Sequence, residues 1–336
     1  MHVFELTRRL VDIESISNNE SQVANFLHGY LSELAVRSDG HVDRGEVEGD
    51  RFNVLACWGN PIVTLSTHMD TVPPFIPSRE DTECIWGRGA CDAKGIIASM
   101  IAAAERLLDD GVRNFGLLFV VGEERNSAGA KAAARMQRGS RFLVGGEPTG
   151  NKLALASKGA LRFEIAARGK TAHSAYPELG ESAIDALLDA LEAIRKLPLP
   201  EDPLLGRSTM NIGTIAGGQA PNVIADSAKA EILVRLAGDP DTIRKSFAAA
   251  IGKRAQLKEV LCIPAMRFER IDGIPSTTVS FTTDLPFLSQ TWGEPFLIGP
   301  GSIHAAHTAE ERVSKQELSD AVGIYADIVR KLLARA

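Results

Sequence analysis

Apolar residues recur along this chain in two periods. Val3, Leu6, Leu10 and Ile13 return every three or four residues, as do Val23, Phe26, Leu27, Tyr30 and Leu31. That spacing lines one face of a helix, and it predicts helices over about 2–15 and 20–34. Short apolar runs at 53–57, 62–66, 116–121 and 142–144 predict buried strands, the last stopped by Gly145 and Gly146. The Ala-rich stretch 96–108 predicts a helix that ends before Gly111. Strands alternating with helices imply an α/β layer around a largely buried sheet.

The middle of the chain follows another order. A strand at 161–167 precedes a helix at about 181–196. Strands at 210–216 and 227–236, a helix at 240–254 and a strand at 259–266 come next. This β-α-β-β-α-β order is the split, ferredoxin-like arrangement. Gly- and Pro-rich loops then lead to an amphipathic helix at about 314–334. The expectation is a central-sheet α/β domain built from 1–157 and 271–336, interrupted by an inserted ferredoxin-like domain over 158–270.

A length of 336 residues agrees with about two domains. Hydrophobic residues at 44% and charged residues at 24% are ordinary for a globular chain. The net charge of −6 gives no electrostatic reason to expect nucleic acid or an anionic membrane as partner. No apolar run is long enough to predict a membrane-spanning helix. The opening MHVFELTRRLVDIES carries charges throughout and lacks a signal-peptide core. Cys57, Cys84, Cys91 and Cys262 form no CxxC pair, so reduced thiols in a cytoplasmic protein are expected.

The candidate chemistry lies at the ends of the apolar runs. His68 follows IVTLST, inside STHMDTVPPF, where an open α/β sheet places ligands. Asp70 is two residues on; in extended chain it points to the same side and is placed to hold the free ring nitrogen of His68. Asp92 lies in WGRGACDAKG, ahead of a helix; alone it reads equally as a helix cap. The glycines there do not match a GxxxxGK[ST] phosphate loop. Glu123 and Glu124 follow FGLLFVV, and Glu147 follows FLVGG. Adjacent carboxylates against a core strand are costly unless a cation is near. His304 and His307 precede the last helix in GPGSIHAAHTAEERV. Taken singly, each is also readable as a solvated loop residue. Together, two histidines and several carboxylates without a thiolate suit zinc, cobalt or manganese. Their number fits two ions that share one carboxylate and leave another as base. No GxSxG or HExxH is present, so neither a serine-elbow hydrolase nor a helix-borne single-zinc protease is expected.

The stretches STHMDTVP, GRGACDAKG, GEER, GGEPTG, GKTAHSAYPELG, PNVIAD and GPGSIHAAHTAEERV occur in the order found in a known group. The sequence resembles the acetylornithine deacetylase, succinyl-diaminopimelate desuccinylase, aminoacylase and glutamate carboxypeptidase family of dinuclear metallohydrolases. Its last stretch is most similar to the acetylornithine deacetylase branch, which implies arginine biosynthesis. The resemblance implies that His68 and Glu147 hold a first ion, zinc or cobalt, and that Glu124 and His307 hold a second. It makes Asp92 the bridging carboxylate, Glu123 the general base and Asp70 the partner of His68. His307 is preferred over His304 because it stands four residues before Glu311, as in the pattern HTxxE. His173 matches a histidine that reaches an active site, usually the partner subunit's; Asn222 and Arg235 match positions that bind a substrate carboxylate. Ala225 and Val234 depart from the pattern there, where relatives carry proline and often an acidic residue. The implied activity is hydrolysis of an N-acyl amino acid or dipeptide by a metal-activated water, in a homodimer. A dipeptidase, a carboxypeptidase or a lysine-biosynthesis deacylase on the same scaffold is the enzymatic alternative, and a non-catalytic binding protein the third.

Overall fold

The apolar run that ends in His68 becomes an interior strand, Val63–His68, of a six-stranded mixed sheet. The computed structural model describes residues 1–136 and 139–336. The sheet runs in the order His41–Glu48, Arg51–Trp58, Phe115–Val120, Val63–His68, Phe142–Gly145, Glu294–Leu297. The first two strands pair antiparallel, and Arg51–Trp58 is antiparallel to Phe115–Val120. The remaining strands are parallel, with His68 opposite Val120, Ser66 opposite Gly145 and Gly145 opposite Leu297. Four strands therefore end at one edge, each ahead of a polar loop. Burial of every residue in Phe115–Val120 and Phe142–Gly145 explains their unbroken apolar patterns; Val63–His68 is buried throughout as well, although it carries Thr64, Ser66 and Thr67.

The helices Val3–Val11, Lys94–Asp109 and Lys315–Leu333 share one apolar core with this sheet, through Leu6, Leu10, Ile97, Ile101, Tyr325 and Val329 among others. Ser314 caps the last helix by accepting from the Glu317 N–H. The first helix stops at Val11, short of the expected 15, because the chain beyond it is drawn to the strand end. There Ser15 Oγ donates to the Met69 carbonyl, and the Thr71 N–H donates to the Ser15 carbonyl.

The chain divides into two compact units. One comprises Met1–Leu155, Phe268–Thr277 and Thr283–Ala336; the other comprises Ala156–Arg267 and Thr278–Thr282. The second unit holds a four-stranded antiparallel sheet in the order Thr209–Gly217, Ser227–Leu236, Gly159–Arg168, Gln256–Ile263. With the helices Ala183–Arg195 and Pro240–Ile251, its chain order is β-α-β-β-α-β. Phe163, Phe247, Ile232 and Leu187 lie in its separate apolar core. Its last strand begins three residues earlier than the apolar pattern implies, and its register shifts between Glu259 and Leu261. Among the described residues, no helix is long and apolar enough to cross a membrane.

Candidate metal centre

One strand end and four loops of the first unit carry the expected donors to one edge of its sheet. His68 ends Val63–His68, Glu123 and Glu124 follow Phe115–Val120, and Glu147 follows Phe142–Gly145. Asp92 precedes the helix Lys94–Asp109, and His307 lies in the loop before Arg312–Ser314. Gly122 turns the chain toward Glu123 at φ +77°, and a Cβ there would meet Arg51 Nη2 at 2.8 Å. Only glycine accepts both that backbone and that neighbour.

The two oxygens of Asp92 face different histidines. Oδ1 is 2.9 Å from His68 Nε2, and Oδ2 is 3.4 Å from His307 Nε2. His307 Nε2 is also 2.8 Å from Glu124 Oε1. One ligand atom each from His68, Asp92 and Glu124 lies within 4.8 Å of the others. Glu123 and Glu147 line a small cavity together with His68. The structure thus gathers His68, Asp92, Glu123, Glu124, Glu147 and His307.

The electrostatics of this cluster call for a cation. Burial pushes Glu123 well above the usual carboxylate range, and Glu147 adds to the rise. Burial does the same to Glu147, reinforced by Asp92, and it raises Glu124 against the hydrogen bond from His307. Asp92 is also buried, yet His307 and His68 hold it well below the usual range. Asp92 and Glu124 push His307 up to about 10. Burial lowers His68, but Asp70 and Asp92 outweigh it and carry the imidazole well above its ordinary value. The carboxylates thus favour positive charge on each histidine, the part a bound cation would play. The donors are nitrogen and oxygen only; Cys91 Sγ turns away to the Ser302 carbonyl at 3.3 Å. That donor set fits zinc or cobalt.

Asp70 plays a wider part than the spacing implies. The nearest acceptor to His68 Nδ1 is the Asp70 backbone carbonyl at 3.0 Å, with carboxylate Oδ1 at 3.5 Å. The carboxylate mainly holds the loop of the paired glutamates, accepting from the N–H groups of Glu123 at 3.0 Å and Glu124 at 3.2 Å. Ser17 Oγ donates at 2.7 Å to Oδ2, the oxygen that also accepts from the Glu124 N–H. Further supports escape the sequence reading. Buried Glu311 accepts from Arg88 Nη1 at 2.5 Å and from the N–H groups of Gly89, Cys91 and Asp92, fixing the loop that presents Asp92. Arg51 and Glu20 pair through two hydrogen bonds, of 2.8 and 2.7 Å, beside Gly122. Buried Lys94 donates to the Ile13 carbonyl, and burial brings it down to about 7. Burial also pushes Asp284 up to about 7, against the Ser127 hydroxyl.

His173, Asn222 and Arg235 belong to the second unit. His173 pairs with Val223, and the Ser174 N–H donates to the Asn222 carbonyl at 3.0 Å. His173 and Asn222 are therefore neighbours, both exposed. Arg235 lies near the far end of the strand Ser227–Leu236, half-buried, with Nη1 3.4 Å from Thr282 Oγ1. His304 is exposed in the loop of His307.

The profile of peptidase family M20/M25/M40 matches residues 64–331. A Peptidase M20 domain-containing protein of Schizosaccharomyces pombe is 37% identical over 336 residues, covering 98% of this chain and 84% of its own. A protein of Aspergillus oryzae named "Probable carboxypeptidase" is 37% identical over 377 residues, covering 98% and 87%. Among solved structures, aminopeptidase PepT of Bacillus cereus superposes with a TM-score of 0.80 over 98% of both chains at 20% identity, a likeness of fold. The relatives carry peptidase names rather than that of acetylornithine deacetylase. The chain belongs to the M20/M25/M40 peptidase family and is a metal-dependent hydrolase of amide or peptide bonds.

Proposed function

We propose that this member of the M20/M25/M40 peptidases is a two-metal enzyme that cleaves the amide next to a free carboxylate, in an N-acyl amino acid or a dipeptide. The observation that carries the reading is Glu123. It is a half-buried carboxylate raised well above its ordinary range, next in the chain to Glu124 and lining one cavity with His68 and Glu147. A proton acceptor thus stands beside the metal donors. His68 and Glu147 would hold one ion and Glu124 and His307 the other, with Asp92 shared between them. Zinc or cobalt bound there supplies a Lewis acid and lowers the pKa of a water. Glu123 takes the proton of the attacking water on its carboxylate and returns it to the leaving amine. Asp70 keeps that carboxylate in place by holding the peptide N–H groups of Glu123 and Glu124. His173 donates to the developing oxyanion, while Arg235 and Asn222 receive the substrate carboxylate.

The carboxypeptidase name of the Aspergillus relative favours a peptide over an acetyl group as the part removed from the terminal amino acid. The test uses protein stripped of metal and reloaded with zinc or cobalt. Acetylornithine, other N-acetyl amino acids, dipeptides and the same compounds with the carboxylate amidated are compared. Hydrolysis only after reloading, and only with the carboxylate free, is expected. Equal cleavage of the amidated compounds overturns the substrate reading, and no cleavage of any compound overturns the enzymatic one. A homodimer formed through 158–270 belongs to the same proposal, and sedimentation at equilibrium checks it.

A further inference from the structure

Asp284 stands at the N-cap position of the helix Leu285–Trp292, where an aspartate ordinarily accepts from the first turn's N–H groups. Its side chain makes no such bond; the Thr283 hydroxyl accepts from the Leu285 N–H at 3.2 Å instead. Capping therefore does not account for the carboxylate. Asp284 is 7% exposed; the Ser127 hydroxyl lies near it, but among the described residues no donor, Ser127 included, meets either of its oxygens with hydrogen-bond geometry. Ser66, two residues before His68, is 3% exposed, and its Oγ also lacks a partner. Both residues line one cavity of about 20 Å³, into which His68, Glu123 and Glu147 also face.

Leaving a carboxylate and a hydroxyl buried without partners is costly. A void holds a water once it offers roughly 10–15 Å³ and two to four polar neighbours. This one meets both conditions. It is too small for a substrate group, and its wall of Val120, Leu288 and Leu297 leaves a divalent cation without part of its oxygen shell.

We propose that Ser66 and Asp284 bind a single internal water that faces Glu123, and that Asp284 thereby acts as a positioning residue for the base. The water accepts from Ser66 Oγ–H and donates one hydrogen to the Asp284 carboxylate and the other to Glu123. Both orphaned groups are satisfied, and one oxygen of Glu123 is tied down while the other stays free for proton transfer. The proposal rests on the reading of Glu123 as base.

A crystal structure of the metal-loaded protein tests the site. One density peak within hydrogen-bond distance of Ser66 Oγ, an Asp284 oxygen and a Glu123 oxygen is expected. A dry cavity overturns the proposal, as does a peak with the short contacts of a cation. Kinetics test the positioning. Asp284→Asn and Ser66→Ala are each expected to lower kcat about tenfold with KM and metal content unchanged, the scale of losing a group that orients another. Should Asp284→Asn not fold, Ser66→Ala alone decides the matter. Loss of the peak with kcat unchanged overturns the positioning role. If instead Glu123→Gln keeps its full rate, the base reading fails while the water can still be seen, so the two failures are distinguishable.

Discussion

The two units each build a sheet under helices, yet they treat polar groups in opposite ways. The first unit buries Glu20, Arg51, His68, Asp70, Arg88, Asp92, Lys94, Glu147, Asp284 and Glu311. In the second, Lys158 is the one buried charged residue among the described residues, and it donates to the Arg207 carbonyl at 2.7 Å. Parallel strands that end together bring several loops to one edge, and there costly charges compensate one another. The antiparallel sheet of the second unit instead alternates buried with half-exposed residues, and its core is aliphatic and aromatic. Buried charge beyond what a core needs therefore marks the unit where the chemistry belongs.

The sharpest way to break this contrast is to remove the shared carboxylate. Asp92→Ala is expected to lose bound metal and activity together, read by elemental analysis and turnover; retained metal with unchanged kinetics removes Asp92 from the bridge. Glu123→Gln should keep its metal but lose about 10²–10⁴-fold in kcat, the usual range for a general base. A wild-type rate refutes that role. In the second unit, Phe247→Ala should cost about 3–5 kcal/mol of unfolding free energy, by opening a cavity beside Phe163. The metal content of the folded fraction should stay the same. Thermal denaturation with metal analysis measures both, and loss of metal without loss of stability contradicts the division. Ser17→Ala removes the hydroxyl at 2.7 Å from Asp70 and should lower kcat by about tenfold, with little change in metal content.

The smallest effect concerns pH. In the metal-free protein His307 is pushed up to about 10 by Asp92 and Glu124, and, against burial, Asp70 and Asp92 hold His68 above its ordinary value. Folded-state values raised above the unfolded ones make these contacts stabilising below about pH 6.5, and the stabilisation fades as pH climbs toward 10 for His307. A cation competes with protons for these histidines, so its apparent affinity rises with pH. Calorimetry in two buffers of different ionisation enthalpy should register net proton release; no release at pH 7 contradicts the raised histidine values.

Much of this was legible along the chain, because a strand and the residue ending it are local features. The runs before Glu123 and Glu147 are apolar on both faces, the run before His68 is apolar on one, and the motif order supplied the remaining donors, Asp92 and His307. The edge strand His41–Glu48 was not legible: it alternates exposed Arg44, Glu46 and Glu48 with half-buried Gly45 and Val47, and owes its shape to pairing with Arg51–Trp58. The helix Leu285–Trp292 and the strand Glu294–Leu297 were likewise hidden, being short and set among Gly- and Pro-rich loops.

By itself, then, the sequence determined the order of the elements, the interruption of one pattern by another and the chemical kinds of donor. Apolar period and residue type act within a few neighbours, and they survive without any knowledge of the fold. The tertiary structure decided which backbone groups Asp70 holds, that Glu311 grips the loop of Asp92, and that Asp284 and Ser66 share a cavity. Those partners lie 53, 219 and 218 residues apart along the chain, and only the closing of the sheet and its loops brings them within hydrogen-bond reach or around one void.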